Sequence, residues 1–123
     1  MTGQQVFDLA MQLGGYDTAA GTAAVSALRA RAFAVVDAVY AELWTAERPG
    51  ESAAPLRSLQ DPLPLSDYTV RQVMPWGILM LLCLADEAAG DGAGYAALYD
   101  RKRAGIPKAA FRRRDVLPRG WGG

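Results

Sequence analysis

The sequence predicts an all-α fold: a small bundle of about four helices with a long proline-rich loop and an extended C-terminal arm. Three observations carry this. Apolar residues recur every three or four positions through most of the chain up to residue 104, the period of one helix face. No stretch alternates apolar and polar residues as a half-buried strand does. The 123 residues are 51% hydrophobic and 21% charged, an ordinary globular balance, and a chain of this length hides roughly two-thirds of its unfolded surface. The organisation predicted is a helical domain over residues 1–104 and a basic arm over residues 105–123.

Thr2, with Gln5 three residues later, can form a capping box at a helix start. Val6, Leu9, Ala10 and Leu13 then share one face, and Gly14-Gly15 stop the first helix near residue 13. The second segment runs from Thr18 or Thr22 to Ala46 as one long alanine-rich helix. Val25, Leu28, Ala32, Val35, Val39 and Leu43 form its stripe, which Val36, Tyr40 and Trp44 widen. Pro49-Gly50 end it. Residues 49–66 read as a loop, because Pro49, Pro55, Pro62 and Pro64 each bias the preceding residue toward extended backbone. Leu63 or Leu65 is expected to dip from that loop into the core.

Ser66 can cap a third helix, with Asp67 complementing the helix dipole in its first turn. Pro75 lies well inside this helical pattern. In a straight helix it would lose one hydrogen bond and collide with the carbonyl of Arg71, at about 3 kcal/mol, so a kink or two abutting helices are expected. The run Ile78–Ala85 is apolar on nearly every side, which marks the central, most buried helix. Eight residues are far short of the roughly 20 that cross a bilayer, so no membrane span is expected. Gly90, Gly92 and Gly94 mark a turn. A last helix follows over about Ala93–Ala104, with Tyr95, Leu98 and Tyr99 on its apolar side. Gly105 and Pro107 end it.

Candidate chemistry is sparse. The chain has no histidine, the side chain that most often moves protons at neutral pH and most often binds metals. Its single cysteine, Cys83, sits in the apolar run and reads as a buried thiol; one cysteine allows no intrachain disulfide. Asp86 and Glu87 are neighbours on a helix end and point apart, so they read as solvated carboxylates rather than one site. Gly90-Asp91-Gly92-Ala93-Gly94 precedes a helix but follows no strand and lacks a Lys-Ser or Lys-Thr pair, so it reads as a turn, not a phosphate cradle. Catalytic residues, metal ligands and cofactors are therefore all predicted absent.

The charge distribution is more informative. Thirteen basic and thirteen acidic residues give a formal net charge of zero. Residues 101–123, however, hold eight basic residues and one acidic residue, a net +7; residues 1–100 hold five basic and twelve acidic residues, a net −7. Such asymmetry points to a contact with a polyanion or with an acidic protein surface, the alternative being a solubilising tail. Val116, Leu117 and Trp121 favour docking, since a purely solubilising tail has little use for apolar groups. The interaction residues predicted are Arg101, Lys102, Arg103, Lys108, Arg112, Arg113, Arg114, Val116, Leu117, Arg119 and Trp121.

A family resemblance extends this reading. Leu59-Gln60-Asp61-Pro62-Leu63-Pro64-Leu65-Ser66-Asp67, Met74-Pro75-Trp76-Gly77, Leu81–Glu87 and the aromatic helix Tyr95–Tyr99 follow one another over the last two-thirds of the chain. This order resembles the small helical head–tail connector (adaptor) proteins of tailed bacteriophages and prophages. In them a Pro-Tyr-Gly step opens an apolar helix; here Trp76 stands in the tyrosine position and keeps the aromatic bulk, which makes Pro75, Trp76 and Gly77 structural residues. Arg114-Asp115-Val116-Leu117 and the terminal glycines resemble the arm that follows the last helix in that family.

The resemblance implies a non-enzymatic virion protein at the head–tail junction, assembled in the bacterial cytoplasm. Its copies would form a ring, commonly dodecameric, between the portal protein and a tail or stopper protein, around the channel through which double-stranded DNA passes. The alternative reading is a small helical nucleic-acid-binding or regulatory module that uses the basic C-terminal segment, whose binding would weaken steeply with salt.

Overall fold

The computed structural model describes residues 1–16, 23–85 and 92–107. Among them are five α-helices: α1 (Gly3–Leu13), α2 (Ala23–Ala30), α3 (Ala32–Glu47), α4 (Met74–Ala85) and α5 (Gly92–Arg103). A π-helical segment, Thr69–Val73, runs directly into α4. No strand occurs among the described residues, where a single antiparallel bridge joins Thr2 to Pro62. The protein is all-α, as the sequence predicts, and four of the five helices are substantial.

The first helix begins and ends where its residues dictate. The Thr2 hydroxyl accepts from the Gln5 N–H at 3.2 Å and the Gln5 side chain accepts from the Thr2 N–H at 2.9 Å, a complete capping box. After Leu13 the chain turns through Gly15 at φ 81°, a conformation that favours glycine. The proline-rich loop then holds the start of α1 from outside. Gly3 and Gln4 donate to the carbonyls of Asp61 and Leu59, and Leu63 donates to that of Met1. Leu63 is the loop residue that enters the core, together with Leu56, while Leu65 is half-buried.

The second predicted helix is corrected: it is two helices, broken at Arg31. The Arg31 N–H bonds the carbonyl of Leu28 at 3.0 Å, three residues back instead of four, with ψ flattened to −1°. No glycine or proline marks the break. One tight turn lets Val25 and Leu28 on α2 reach the core that Ala32 and Val35 reach from α3, and burying those side chains outweighs one strained bond. Thr18 and Thr22, the starts considered for this segment, lie outside the described residues.

Pro75 is accommodated by the π-helical segment. The Ser66 hydroxyl accepts from the Thr69 N–H at 3.3 Å, so Ser66 caps the start of the helical stretch. The Met74 N–H then reaches back to the Thr69 carbonyl, five residues away. This wider turn places Pro75 directly after the π segment, where the shifted hydrogen-bond register absorbs its missing N–H. The result is two abutting helices rather than a straight one.

α4 is the centre of the molecule and packs against α1, α3 and α5. Ile78, Leu79 and Leu82 are fully enclosed, as are Val73 and Met74 just before them. Gly14, after α1, comes so close that a Cβ there would stand 2.6 Å from a Leu79 methyl. Ile106, two residues beyond the predicted helical domain, is buried in this core, so core packing reaches past α5 to at least that residue.

The end of α3 is tied to the start of the π segment by a buried carboxylate. Glu47 is 4% exposed and accepts from the Ser66 N–H at 3.0 and 3.1 Å and from the Thr69 hydroxyl at 2.7 Å. Truncation leaves the part-buried Ser66 N–H without its acceptor and takes the charged acceptor from the buried Thr69 hydroxyl, which keeps only the Ser66 hydroxyl at 2.9 Å. Glu47→Ala should cost about 2–3 kcal/mol in urea unfolding, and Glu47→Gln, which keeps one acceptor oxygen, less. A loss under about 0.5 kcal/mol for Glu47→Ala, the range of neutral surface changes, would contradict this role.

Candidate functional site

The residues proposed for docking divide into three groups. Arg101 is exposed on α5, directed to solvent. Lys102 and Arg103 are half-buried. Lys108, Arg112, Arg113, Arg114, Val116, Leu117, Arg119 and Trp121 lie outside the described residues.

Arg103 is already engaged within the body. Its guanidinium lies 3.1 Å from Glu42 on α3 and 3.1 Å from Asp100 one turn back on α5. It also sits 5.0 Å above the centre of the Tyr99 ring. Lys102 is held through its backbone: the Tyr68 hydroxyl donates to its carbonyl at 3.0 Å. The basic end of α5 is thus fixed to the body, and lysine and arginine at a helix C-terminus complement its dipole.

Tyr99 organises this end of the molecule. Its ring is 2% exposed, and its hydroxyl donates to the Glu42 carboxylate. The ring lies against Gly77, where a Cβ would stand 2.7 Å from the tyrosine and 3.0 Å from Val39. One turn earlier on α5, Tyr95 stacks on Trp76 with ring centres 6.2 Å apart. Consecutive residues of the Pro75-Trp76-Gly77 step therefore receive consecutive turns of α5. Gly77 and Trp76 were singled out in the sequence; their partners were visible only as aromatic spacing, and Glu42 carried no signal at all.

On the opposite side of α3, two aromatic side chains hold the proline-rich loop. The Tyr40 hydroxyl donates to the Ala54 carbonyl at 2.9 Å, and the Trp44 indole N–H donates to the Glu51 carbonyl at 3.0 Å. Arg48 lies 4.8 Å above the Trp44 ring. A groove of about 460 Å³ opens between Tyr40 and the loop, and a shallower one of about 570 Å³ lies beside Glu42 and Arg103. No group of three carboxylate or thiol side chains able to hold a metal occurs among the described residues. None of their helices is long and apolar enough to cross a membrane.

No family model matches the chain, and neither curated proteins nor solved structures match it.

Burial and the neighbouring Glu42 carboxylate push the Tyr99 phenol above its ordinary value of 10.0, with Arg103 opposing them. An acid whose pKa is raised on folding contributes stability that is complete below its unfolded value, near pH ~10, and is lost as pH rises beyond it. Tyr99→Phe should therefore lose about 1 kcal/mol at neutral pH, from the missing hydrogen bond, and should unfold with a shallower alkaline slope. Urea midpoints measured from neutral to strongly alkaline pH check this; parallel slopes for the two proteins would contradict it.

Proposed function

We propose that the chain is a structural subunit of the bacteriophage neck. Copies form a ring between the portal and a tail or stopper protein, and the genome passes through it at the head–tail junction of the virion. The observation that carries this reading is the segregation of charge, −7 over residues 1–100 against +7 over residues 101–123. A subunit polarised in this way favours head-to-tail contacts, which close into a ring when the rotation between copies closes. The order of motifs from Leu59 to Tyr99 that resembles connector proteins supports it, as do exposed apolar side chains at both ends of the helices. Leu84 is 75% exposed, Leu13 46% and Phe33 40%, and each is an apolar side chain that a neighbouring copy would cover.

In this reading the helical body forms the ring wall and the segment after Pro107 reaches the portal or a neighbouring subunit. The body needs no reactive group for that role. Its rigid attachment of α5, through Tyr99, Arg103 and Tyr68, sets the direction in which the basic segment departs.

Light scattering and electron microscopy, with purified portal present, should show a ring; monomers alone in that mixture would exclude it. Deletion of residues 108–123 should abolish portal docking yet leave helix content and melting temperature nearly unchanged. Deletion of residues 105–123 removes buried Ile106 as well and should cost about 2–5 kcal/mol, the range for emptying a core site of that size. Equal stability of the two truncations would contradict the placement of the arm after Pro107. Sequence-specific binding of a short DNA duplex by the isolated chain would favour the nucleic-acid-binding alternative, since a channel-lining subunit binds without sequence preference.

A further inference from the structure

The groove beside Tyr40 is walled by Pro55, Pro62 and Pro64, all exposed, with Arg57 and Asp61 as its charged lining residues. Its volume of about 460 Å³ lies in the range of sites that bury most of a bound group, roughly 300–1,000 Å³. The walls are stiff before anything binds. Proline rings have no rotamers to lose, and the loop is pinned by the Tyr40–Ala54 bond and by Asp61, whose Oδ2 accepts from the N–H groups of Arg57 and Ser58. Those bonds use one carboxylate oxygen and leave Oδ1 as an acceptor.

The chain itself contains a segment of matching chemistry. Pro118 biases Leu117 toward extended backbone. In an extended stretch, Leu117, Arg119 and Trp121 fall on one face: apolar, cationic, apolar. That face offers two apolar side chains for the proline walls and a cation for Asp61. The segment can also reach. The Tyr68 hydroxyl stands 2.8 Å from where a Gly105 Cβ would be, so the end of the body touches Tyr68. Tyr68 is four residues from Pro64, which puts that wall within roughly 25 Å of Gly105, side-chain length included. The ten residues from Pro107 to Leu117 span up to about 34 Å. A short tether that reaches its site acts at an effective concentration near the millimolar range, so a second copy competes poorly.

We propose that Leu117, Arg119 and Trp121 dock in the Tyr40–proline groove of their own chain, so that the free subunit stores its C-terminal segment against the body. The segment is then released only when a better partner takes it. This holds whether or not the chain assembles into a ring.

The test uses the full-length protein, with backbone amide signals followed by NMR. Relative to the unchanged chain, Leu117→Ser/Trp121→Ala should shift the amides of Ala54, Leu56, Arg57 and Leu63 and speed their hydrogen exchange several-fold. The signals of Val6, Ile78 and Tyr99 should stay in place. Pro64→Glu, an exposed change on the groove wall, should move the Trp121 indole N–H signal in return. The groove signals of the unchanged chain should not move on dilution. Groove amides indifferent to the double substitution would overturn the proposal. Groove signals that shift on dilution would overturn it too, by assigning the segment to a second copy.

Discussion

Gly77 has no Cβ, and three helices meet where one would stand. Tyr99 of α5 and Val39 of α3 both press on the backbone of α4 at this point, at 2.7 and 3.0 Å from the position a Cβ would take. Much of the molecule follows from that approach. It sinks the Tyr99 ring deeply enough for its hydroxyl to meet Glu42 on α3. It brings Arg103 over the ring and within ion-pair distance of Glu42 and Asp100. It also aligns Tyr95 with Trp76 one turn away. A glycine inside a helix is unfavourable by about 1 kcal/mol relative to alanine; here the close packing of three helices offsets it. The π-helical segment upstream serves the same junction, since it delivers Pro75, Trp76 and Gly77 to α5 without losing the buried run that follows.

The helical period made the elements legible, and local chemistry made several of their ends legible. The Thr2–Gln5 capping box, the Gly14-Gly15 stop, the Ser66 cap and the disturbance around Pro75 are each the consequence of residues adjacent in sequence. What could not be read was set by contacts distant in sequence. Arg31 breaks a helix that has no breaker, because core packing on α2 and α3 prefers a tight turn there. Glu47 looks like any surface glutamate at a helix end, yet Ser66 and Thr69, about twenty residues away, enclose it. Arg103 sits in a run of basic residues, and only the fold shows that its charge is used by Glu42 and Asp100. Ile106 is hidden behind a Gly-Ile-Pro sequence that reads as the start of a tail.

These contacts also sharpen the charge distribution. The basic C-terminal region is not uniform: Arg103 is engaged within the body, Lys102 is held by its backbone, and Arg101 faces solvent. The end of α5 is held against the body by Tyr99 and Tyr68, so the net +7 of residues 101–123 begins at a fixed helix end. On the body itself, Leu13, Phe33 and Leu84 are the most exposed large apolar side chains among the described residues.

The most direct measurement is a double-mutant cycle on Gly77→Ala and Tyr99→Leu by urea unfolding. If the helix junction rests on the close approach, Gly77→Ala destabilises by about 1–3 kcal/mol in spite of its better helix propensity. With Tyr99→Leu present, the same change should cost much less, because the smaller side chain relieves the collision; the coupling should exceed about 0.5 kcal/mol. A stabilising Gly77→Ala, by the roughly 1 kcal/mol that propensity alone supplies, with strict additivity to Tyr99→Leu, would contradict the account.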